Sequence, residues 1–262
     1  MTALPPPSNK KLGLVIDLDI CVGCHACAVA CKEWNDGGRF GPLPDSDPYG
    51  PEPHGVWFNR VHAYEVTPHE NGATTQMVHF PRSCLHCETP DCVTVCPTGA
   101  SYKRAEDGIV LVDEDKCIGC QLCAWACPYG AREISLERPR KQADGRPDKR
   151  GTMQKCTLCV DRIYNETLDE ADRQPACVMA CPTRARHFGD LGDPESGISR
   201  LVAQRSGYDL MPEFGYRPVN KYLPPRPRRD ASHMTAETAP EETVDPAQLP
   251  PLLRWLDRVL TR

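Results

Sequence analysis

Apolar residues come in short runs along this chain, and their spacing predicts short strands and helices. Residues 12–18 (LGLVIDL) form an almost continuous apolar run that predicts a strand, and residues 25–34 have the spacing of a short helix. Residues 56–65 and 74–80 are rich in strand-forming residues. The pattern predicts an α+β chain built from small elements.

A hairpin and a C-terminal helix complete the predicted elements. Residues 102–103 and 109–112 flank a turn of sequence EDG, which is typical of a hairpin. Residues 249–260 place aliphatic residues at helical spacing with charged residues between them. This amphipathic helix either covers the chain's own body or docks on a partner subunit or a membrane surface, because amphipathicity alone does not say what is covered.

Composition indicates long loops between these elements. The chain has 27 Pro and 19 Gly in 262 residues, and only 6% of its residues are aromatic. Residues 37–55 and 136–151 are predicted loops, residues 221–229 are predicted to be extended, and residues 231–245 are predicted to be a flexible linker. Such a chain has little apolar core, so bound metal would supply part of its folding free energy.

Charge and hydropathy narrow the classes of partner. The net charge of −5 argues against nucleic acid, which is usually bound by a basic surface. No apolar stretch approaches the ~20 residues that span a bilayer. The first residues lack the apolar core of a secretory signal peptide. We therefore expect membrane attachment only through a partner or a surface helix.

The sixteen cysteines fall into four groups of four, with none left over. The first and third groups have the spacing C-x2-C-x2-C-x3-C, which is the run that binds [4Fe–4S] clusters in bacterial ferredoxins. The groups are Cys21, Cys24, Cys27 and Cys31; Cys84, Cys87, Cys92 and Cys96; Cys117, Cys120, Cys123 and Cys127; and Cys156, Cys159, Cys177 and Cys181. Sixteen thiolates suffice for four clusters.

Two other uses of cysteine fit this pattern less well. A disulfide framework is typical of short secreted chains, and this chain is long. Structural zinc usually takes two ligands from each of two separated knuckles. Here three of the groups end in Cys-Pro, as ferredoxin runs do: Cys96-Pro97, Cys127-Pro128 and Cys181-Pro182. Iron–sulfur clusters are therefore the predicted cofactor.

The order of the groups predicts which cysteines share a cluster. In two-cluster ferredoxins the fourth cysteine of each run binds the other cluster. Adjacent groups two and three form one natural pair, which leaves groups one and four to pair with each other. We number the predicted sets I (Cys21, Cys24, Cys27, Cys181), II (Cys31, Cys156, Cys159, Cys177), III (Cys84, Cys87, Cys92, Cys127) and IV (Cys96, Cys117, Cys120, Cys123).

A repeat supports this division into modules. The runs CPTGA, CPYGA and CPTRA recur after the last cysteines of groups two, three and four. We predict two bacterial-ferredoxin-like modules with long loop insertions and an extended C-terminal tail. Residues 12–72 with 150–200 form the module of groups one and four, residues 73–149 form the module of groups two and three, and residues 201–262 form the tail.

The chain resembles the four-cluster iron–sulfur subunit of the DMSO reductase superfamily of molybdopterin oxidoreductases. The stretches that carry the resemblance are CVGCHACAVACKEWN, SCLHCETPDCVTVCPTGA, RAEDGIVLVDEDKCIGCQLCAWACPYGA, and KCTLCVDRI with ACVMACPTRARHFGDL. The resemblance implies four [4Fe–4S] clusters, because Cys120 is retained where some relatives lose a cysteine and hold a three-iron cluster. It also implies that the module of groups one and four lies toward the molybdenum subunit and that set IV lies nearest the quinone.

The resemblance further implies partners and a place in the cell. The partners would be a molybdopterin (bis-guanine dinucleotide) catalytic subunit and an integral membrane quinone-binding anchor subunit. The chain would lie on the cytoplasmic face of the inner membrane, or on the periplasmic face if it is exported with the catalytic subunit. HGVWFNRVHAYEV and GYDLMPEFGYRPVNKYLPPR are most similar to subunits of quinone-linked sulfite dehydrogenase.

Other functions remain open at this point. The same motifs occur in DMSO, polysulfide and tetrathionate reductase subunits, and a free-standing polyferredoxin or a zinc module is the alternative from another class. No acid–base pair or nucleophile makes this chain a catalyst by itself. His25, His86 and Lys155 adjoin cysteines and are candidates for tuning cluster potentials. Trp34 and Trp125 are expected to pack.

Overall fold

The computed structural model describes residues 2–35, 56–66, 75–134 and 151–226. The chain divides into a compact unit, Met1–Pro225, and a second unit, Arg226–Arg262. The predicted loop 37–55, nearly all of the loop 136–151, and the helix 249–260 lie outside the described residues. The division into modules stays a prediction.

The described part of the chain contains nine short strands and six α-helices. The strands are β1 (Leu12–Asp17), β2 (Asn59–Val66), β3 (Gln76–Ser83), β4 (Ser101–Lys103), β5 (Val110–Val112), β6 (Glu133–Ile134), β7 (Met153–Gln154), β8 (Arg186–Asp190) and β9 (Lys221–Leu223). The helices are α1 (Ala26–Asn35), α2 (Asp91–Thr94), α3 (Leu122–Trp125), α4 (Val160–Ile163), α5 (Ala176–Met179) and α6 (Gly197–Gln204), with 3-10 turns at Glu170–Asp172 and Pro212–Phe214. This content confirms the predicted α+β composition.

A three-stranded sheet lies at the centre of the compact unit. Strand β1 is its middle strand, antiparallel to β8 and parallel to β9. Leu14, Val15 and Ile16 are completely buried. A strand that is covered on both faces needs a continuous apolar run rather than alternation, which explains the apolar sequence of β1. The sequence prediction of a strand at 12–18 is confirmed, and the sheet joins segments from both ends of the compact unit.

The predicted hairpin is confirmed as β4–β5, and the strands predicted at 56–65 and 74–80 are confirmed as β2 and β3. Strands β2 and β3 pair along their whole length, and β4 pairs with β5 across the predicted turn. The β2–β3 hairpin packs on the central sheet through Phe80 and Tyr222, whose rings stack with centroids 4.4 Å apart. The Tyr222 hydroxyl donates to the Pro81 carbonyl at 2.9 Å. These contacts fix the hairpin beside the cysteine groups.

Two pairs of helices carry cysteines toward each other. Helix α1 packs against α5, and α2 packs against α3. Helices α1 and α5 bear cysteines of groups one and four, whereas α2 and α3 bear cysteines of groups two and three. The helix predicted at 25–34 is confirmed as α1. The fold therefore joins group one to group four and group two to group three.

One buried side chain links these two parts. Asn220 is fully buried, and its Oδ1 accepts from the Leu14 amide at 2.8 Å while its Nδ2 donates to the Cys84 carbonyl at 3.0 Å. The Val219 amide also donates to the Leu85 carbonyl.

Within the described ranges, no helix is long and apolar enough to cross a membrane.

Candidate functional site

The cysteines meet at four places in the described structure. The cysteines of sets I, III and IV each line one cavity. The cysteines of set II also lie together: burial, followed by the thiolates of Cys156, Cys177 and Cys159, raises the pKa of Cys31 well above its usual value. We call sets I and II, with α1, α5 and the sheet β8-β1-β9, the I–II region. Sets III and IV, with α2, α3 and the β4–β5 hairpin, form the III–IV region.

Each group begins with a backbone turn between its first two cysteines, which belong to the same set. In every group the residue just before the second cysteine has a left-handed backbone. These residues are Gly23 (φ 69°), His86 (φ 48°), Gly119 (φ 67°) and Leu158 (φ 58°). At Gly119 a Cβ atom would lie 2.2 Å from the Gly151 carbonyl oxygen, so glycine is required there by a close approach of backbone as well as by φ.

The repeated runs after the last cysteines also turn alike. The third residue of each run after cysteine is left-handed: Gly99 (φ 71°), Gly130 (φ 57°) and Arg184 (φ 55°). The turn directs a backbone amide at the cysteine sulfur. The Ser101 amide lies 3.3 Å from Cys96 Sγ, and the Ala185 amide lies 3.2 Å from Cys181 Sγ. Such hydrogen bonds stabilise thiolate sulfur and tune cluster potential.

The electrostatics of the thiols suit a cationic group between them. Burial, partly opposed by Arg132 and with the Cys84 thiolate adding to it, raises the pKa of Cys92 to about 11. Burial likewise raises the pKa of Cys156 to about 12, with Lys155 opposing. Four neighbouring thiols can ionise together only if positive charge lies among them. The irons of a cluster supply it, so the residues fit this cofactor.

The donor geometry separates a cluster from a single ion. Among residues 2–35, 56–66, 75–134 and 151–226, no three His, Cys, Asp or Glu side chains converge closely enough to hold one metal ion. The thiols instead surround cavities. In a cubane each thiolate binds a different iron, so the four sulfurs stand apart around the cluster.

Two buried arginines adjoin these sets, and the sequence analysis missed them. Arg132 Nη2 donates to Cys92 Sγ at 3.0 Å, and Arg186 Nη1 donates to Cys177 Sγ at 3.5 Å. Both follow the repeated run at the same offset, in CPYGAR and CPTRAR. Extending the repeat by one residue marks the position that they share, although it does not show that they are buried.

His86 is buried between the two regions. Burial, followed by the charges of Lys155, Lys103 and Arg132, lowers its pKa well below the usual value, so the ring is neutral. Its Nδ1 accepts from the Val110 amide at 3.2 Å, which leaves the proton on Nε2. Within the part of the chain that the structure describes, Nε2 has no hydrogen-bond partner. The tuning role of His86 stays a prediction.

Lys155 lies where sets II and III meet. Its Nζ donates to the carbonyl of Cys156 at 2.6 Å and to the carbonyl of Val110. Its charge opposes the pKa rise that burial causes at Cys92, which belongs to set III, and at Cys156, which belongs to set II. A buried cation therefore stands between the two regions. Its tuning role, and that of His25, which has a left-handed backbone, also stay predictions.

The two outer sets reach the surface. Cys24 of set I and Cys120 of set IV are exposed. Ile118 is 67% exposed and Trp125 is 80% exposed beside set IV. The expectation that Trp125 packs is wrong, because the short helix α3 points it outward.

Trp34 is partly packed. Its Nε1 donates to Asp161 Oδ2 at 3.0 Å, and the Arg162 guanidinium lies 4.6 Å from its ring centroid. The ring is nevertheless 41% exposed. Trp34 therefore braces α1 against α4 at the surface rather than filling the core.

Comparison with known proteins agrees with this geometry. Two family models, each described as a 4Fe-4S dicluster domain, match residues 20–100 and 75–191. A sulfite dehydrogenase subunit of Allochromatium vinosum is 55% identical over 84% of this chain and 85% of its own length. The chain belongs to the four-cluster iron–sulfur subunits of the DMSO reductase superfamily. Members of this family transfer electrons, and this chain carries four [4Fe–4S] clusters as an electron-transfer subunit.

Other relatives, less similar to this chain, are named for different enzymes. A putative dimethyl sulfoxide reductase iron-sulfur subunit of Halobacterium salinarum is 37% identical over 80% of this chain and 78% of its own length. A tetrathionate reductase subunit of Salmonella typhimurium is 36% identical over 82% of this chain and 73% of its own length. These relatives are named for different substrates, so membership of the family does not itself identify the substrate.

Proposed function

We propose that sets I, II, III and IV each ligate one [4Fe–4S] cluster, and that electrons pass along them in that order. Clusters I and II share Arg186, whose charge acts on Cys27 and Cys177. Clusters III and IV share Arg132, whose charge acts on Cys92 and Cys123. These shared neighbours support placing cluster I beside II and cluster III beside IV.

The junction between clusters II and III supports the same order. The Cys84 thiolate of set III adds to the pKa rise of Cys156 in set II, and Lys155 acts on both sets. Stepwise transfer requires neighbouring clusters to lie close together. Each step in the proposed order joins sets that share a charged neighbour.

The two ends of this path are suited to exchange electrons with other proteins. Cys24 and Cys120 belong to the outer clusters I and IV and are exposed. Val22, beside cluster I, is 58% exposed. Exposed apolar residues beside a surface cluster are typical of a contact site for a partner.

The proposed partners are a molybdopterin catalytic subunit at cluster I and a quinone-reactive membrane subunit at cluster IV. This orientation is the one that the family resemblance implies. The complex would lie on the cytoplasmic face of the inner membrane, or on the periplasmic face if the catalytic subunit carries an export signal.

The proposed reaction is sulfite oxidation coupled to quinone reduction. The single observation that carries it is the 55% identity to a sulfite dehydrogenase subunit along most of both chains. The relatives named for dimethyl sulfoxide and tetrathionate reduction are 37% and 36% identical, which makes those substrates the alternative outcomes.

Purification of the tagged full chain from native membranes tests this function. We expect it to bring down a molybdenum-containing subunit and a membrane subunit, and the complex to reduce a quinone analogue with sulfite. If the chain elutes alone, it is a free polyferredoxin and the partner proposal fails. If the complex forms but exchanges electrons with tetrathionate or dimethyl sulfoxide and not with sulfite, only the substrate proposal fails.

A further inference from the structure

Arg132 and Arg186 carry buried charge that no carboxylate neutralises. Their exposed fractions are 6% and 3%. Among the described residues neither forms an ion pair with Asp or Glu. Other arginines of the chain do: Arg60 pairs with Glu133, and Arg205 pairs with Asp17. An isolated buried cation is strongly unfavourable, so these two guanidiniums require another negative partner.

The unpaired N–H groups of these guanidiniums and the cysteines around them point to sulfur as that partner. In the described part of the chain, Nε and Nη1 of Arg132 and Nε of Arg186 are buried and find no hydrogen-bond acceptor. The charged groups that act on Arg132 are cysteine sulfurs, and those that act on Arg186 are cysteine sulfurs and the Tyr222 hydroxyl; in each case the sulfurs come from both clusters of the same region. The unpaired donors therefore lie among the sulfurs of two proposed clusters.

The two arginines are held in equivalent ways. Each follows the left-handed turn of a Cys-Pro run and begins or precedes a strand. Arg132 Nη2 donates to Ser101 Oγ at 2.8 Å, and Arg186 Nη2 donates to Asn59 Oδ1 at 2.6 Å. In each case a short polar side chain and a cysteine sulfur together hold the guanidinium: both bond Nη2 of Arg132, whereas Asn59 bonds Nη2 and Cys177 bonds Nη1 of Arg186. The repeat thus supplies one fixed cation to each pair of clusters.

We propose that Arg132 and Arg186 are positioning residues that set the potentials of their own cluster pair, Arg132 for clusters III and IV and Arg186 for clusters I and II. The inference rests on the proposed assignment of the sixteen cysteines. A fixed cation stabilises the reduced cluster, which carries one more negative charge, and so raises its reduction potential. The effect is largest at the cluster whose sulfur accepts the hydrogen bond, which is III for Arg132 and II for Arg186.

Redox titration of the full complex, followed by electron paramagnetic resonance, tests this proposal. Arg132→Gln removes the charge and keeps a polar side chain. We expect reduction of cluster III to become at least about tenfold less favourable, which is about 59 mV for a one-electron couple, with a smaller fall at IV and no change at I and II. Arg186→Gln should give the reciprocal pattern, largest at II.

The matched variants Arg132→Lys and Arg186→Lys separate charge from structure. They keep the cation, so the equilibrium constant for reduction of each cluster should stay within about threefold of the wild-type value. If the Gln variants lose clusters, retention of clusters and potentials in the Lys variants still supports the proposal. Loss of clusters in both kinds of variant assigns the arginines a structural role and overturns it.

Two further outcomes are informative. Unchanged potentials in both Gln variants, or an equal shift of all four clusters, contradict the proposal. Cys127→Ser and Cys181→Ser chains assign the resonance signals to clusters III and I. If Cys127→Ser does not lose the signal of cluster III, or Cys181→Ser that of cluster I, the cysteine assignment fails. That failure is distinct from unchanged potentials in the arginine variants, which would contradict only the role of the arginines.

Discussion

The I–II and III–IV regions reach the same cluster geometry through different chain connections. In the III–IV region the contacts are local: Arg132 and Ser101 are 31 positions apart. In the I–II region they are distant: the Lys11 amide donates to Asp190 Oδ1 across 179 positions. Both regions use a left-handed turn before the second cysteine and an arginine after a Cys-Pro run. The repeat sets the geometry, whereas the connection sets how much chain must be ordered to build it.

This difference predicts unequal dependence on the clusters. Closing a long loop costs more conformational entropy than closing a short one. Most of the III–IV region lies within residues 84–134, as a hairpin and two short helices, and Met153–Gln154 complete it by pairing with β6. The I–II region requires β1 to meet β8 and β9. We expect cluster binding to contribute more to holding the I–II region together.

Removing the cysteine that joins the two groups of a region should change iron content and stability most. Cys181→Ala and Cys127→Ala should each lose one cluster, about a quarter of the ~16 irons of four [4Fe–4S] clusters. Cys181→Ala should in addition expose β1 and β8 to hydrogen exchange, whereas Cys127→Ala should change exchange only near set III. Iron analysis and exchange mass spectrometry measure both. Equal loss of protection in the two variants would contradict the difference between the regions.

A smaller effect is expected where the two regions meet. Asn220→Ala removes two buried hydrogen bonds and leaves the Leu14 amide unpaired, so the free energy of unfolding should fall by about 2–4 kcal/mol. Asn165→Ala is the matched control. Asn165 bonds only its own exposed turn, and its loss should cost about 1 kcal/mol.

The Asn220 variant also tests whether the regions unfold together. Residues Met1–Pro225 form one compact unit, so unfolding should remain one transition at a lower temperature, with all four clusters lost in it. Calorimetry with simultaneous absorbance of the clusters measures this. Two separate transitions in the wild-type protein would mean that the regions are independent and that Asn220 does not couple them.

Two equivalent glycines should show the smallest difference between a pair of variants. In Gly119→Ala the new Cβ meets the Gly151 carbonyl, whereas in Gly23→Ala it meets the His79 ring at 2.4 Å. A side chain can move and backbone moves less easily, so Gly119→Ala should destabilise more, by about 3 kcal/mol against about 2.

Gly130→Ala is the control for these two variants. Its φ is 57° and its Cβ would meet nothing within 4 Å, so only the left-handed strain of about 1–2 kcal/mol is expected. Denaturant unfolding orders the three variants. A cost at Gly130 equal to that at Gly119 would show that backbone strain, and not the close approach of Gly151, explains the requirement for glycine.

The sequence predicted what depends on local spacing. The cysteine groups, the α1 helix, the strands β1, β2 and β3, and the β4–β5 hairpin follow from residues close together in the chain, so their patterns could be read directly. Arg132 and Arg186 were missed because nothing in an arginine's neighbours along the chain says that it is buried. Trp125 was misjudged for the same reason, since its exposure depends on how the four-residue helix α3 is oriented.

The proposed assignment links each cluster to cysteines of two groups. A structure of the native complex with anomalous scattering at the iron edge tests it directly. We expect four iron clusters, with Cys181 bound to the cluster of Cys21 and Cys31 bound to the cluster of Cys156. Four clusters each bound by the four cysteines of a single group would contradict it.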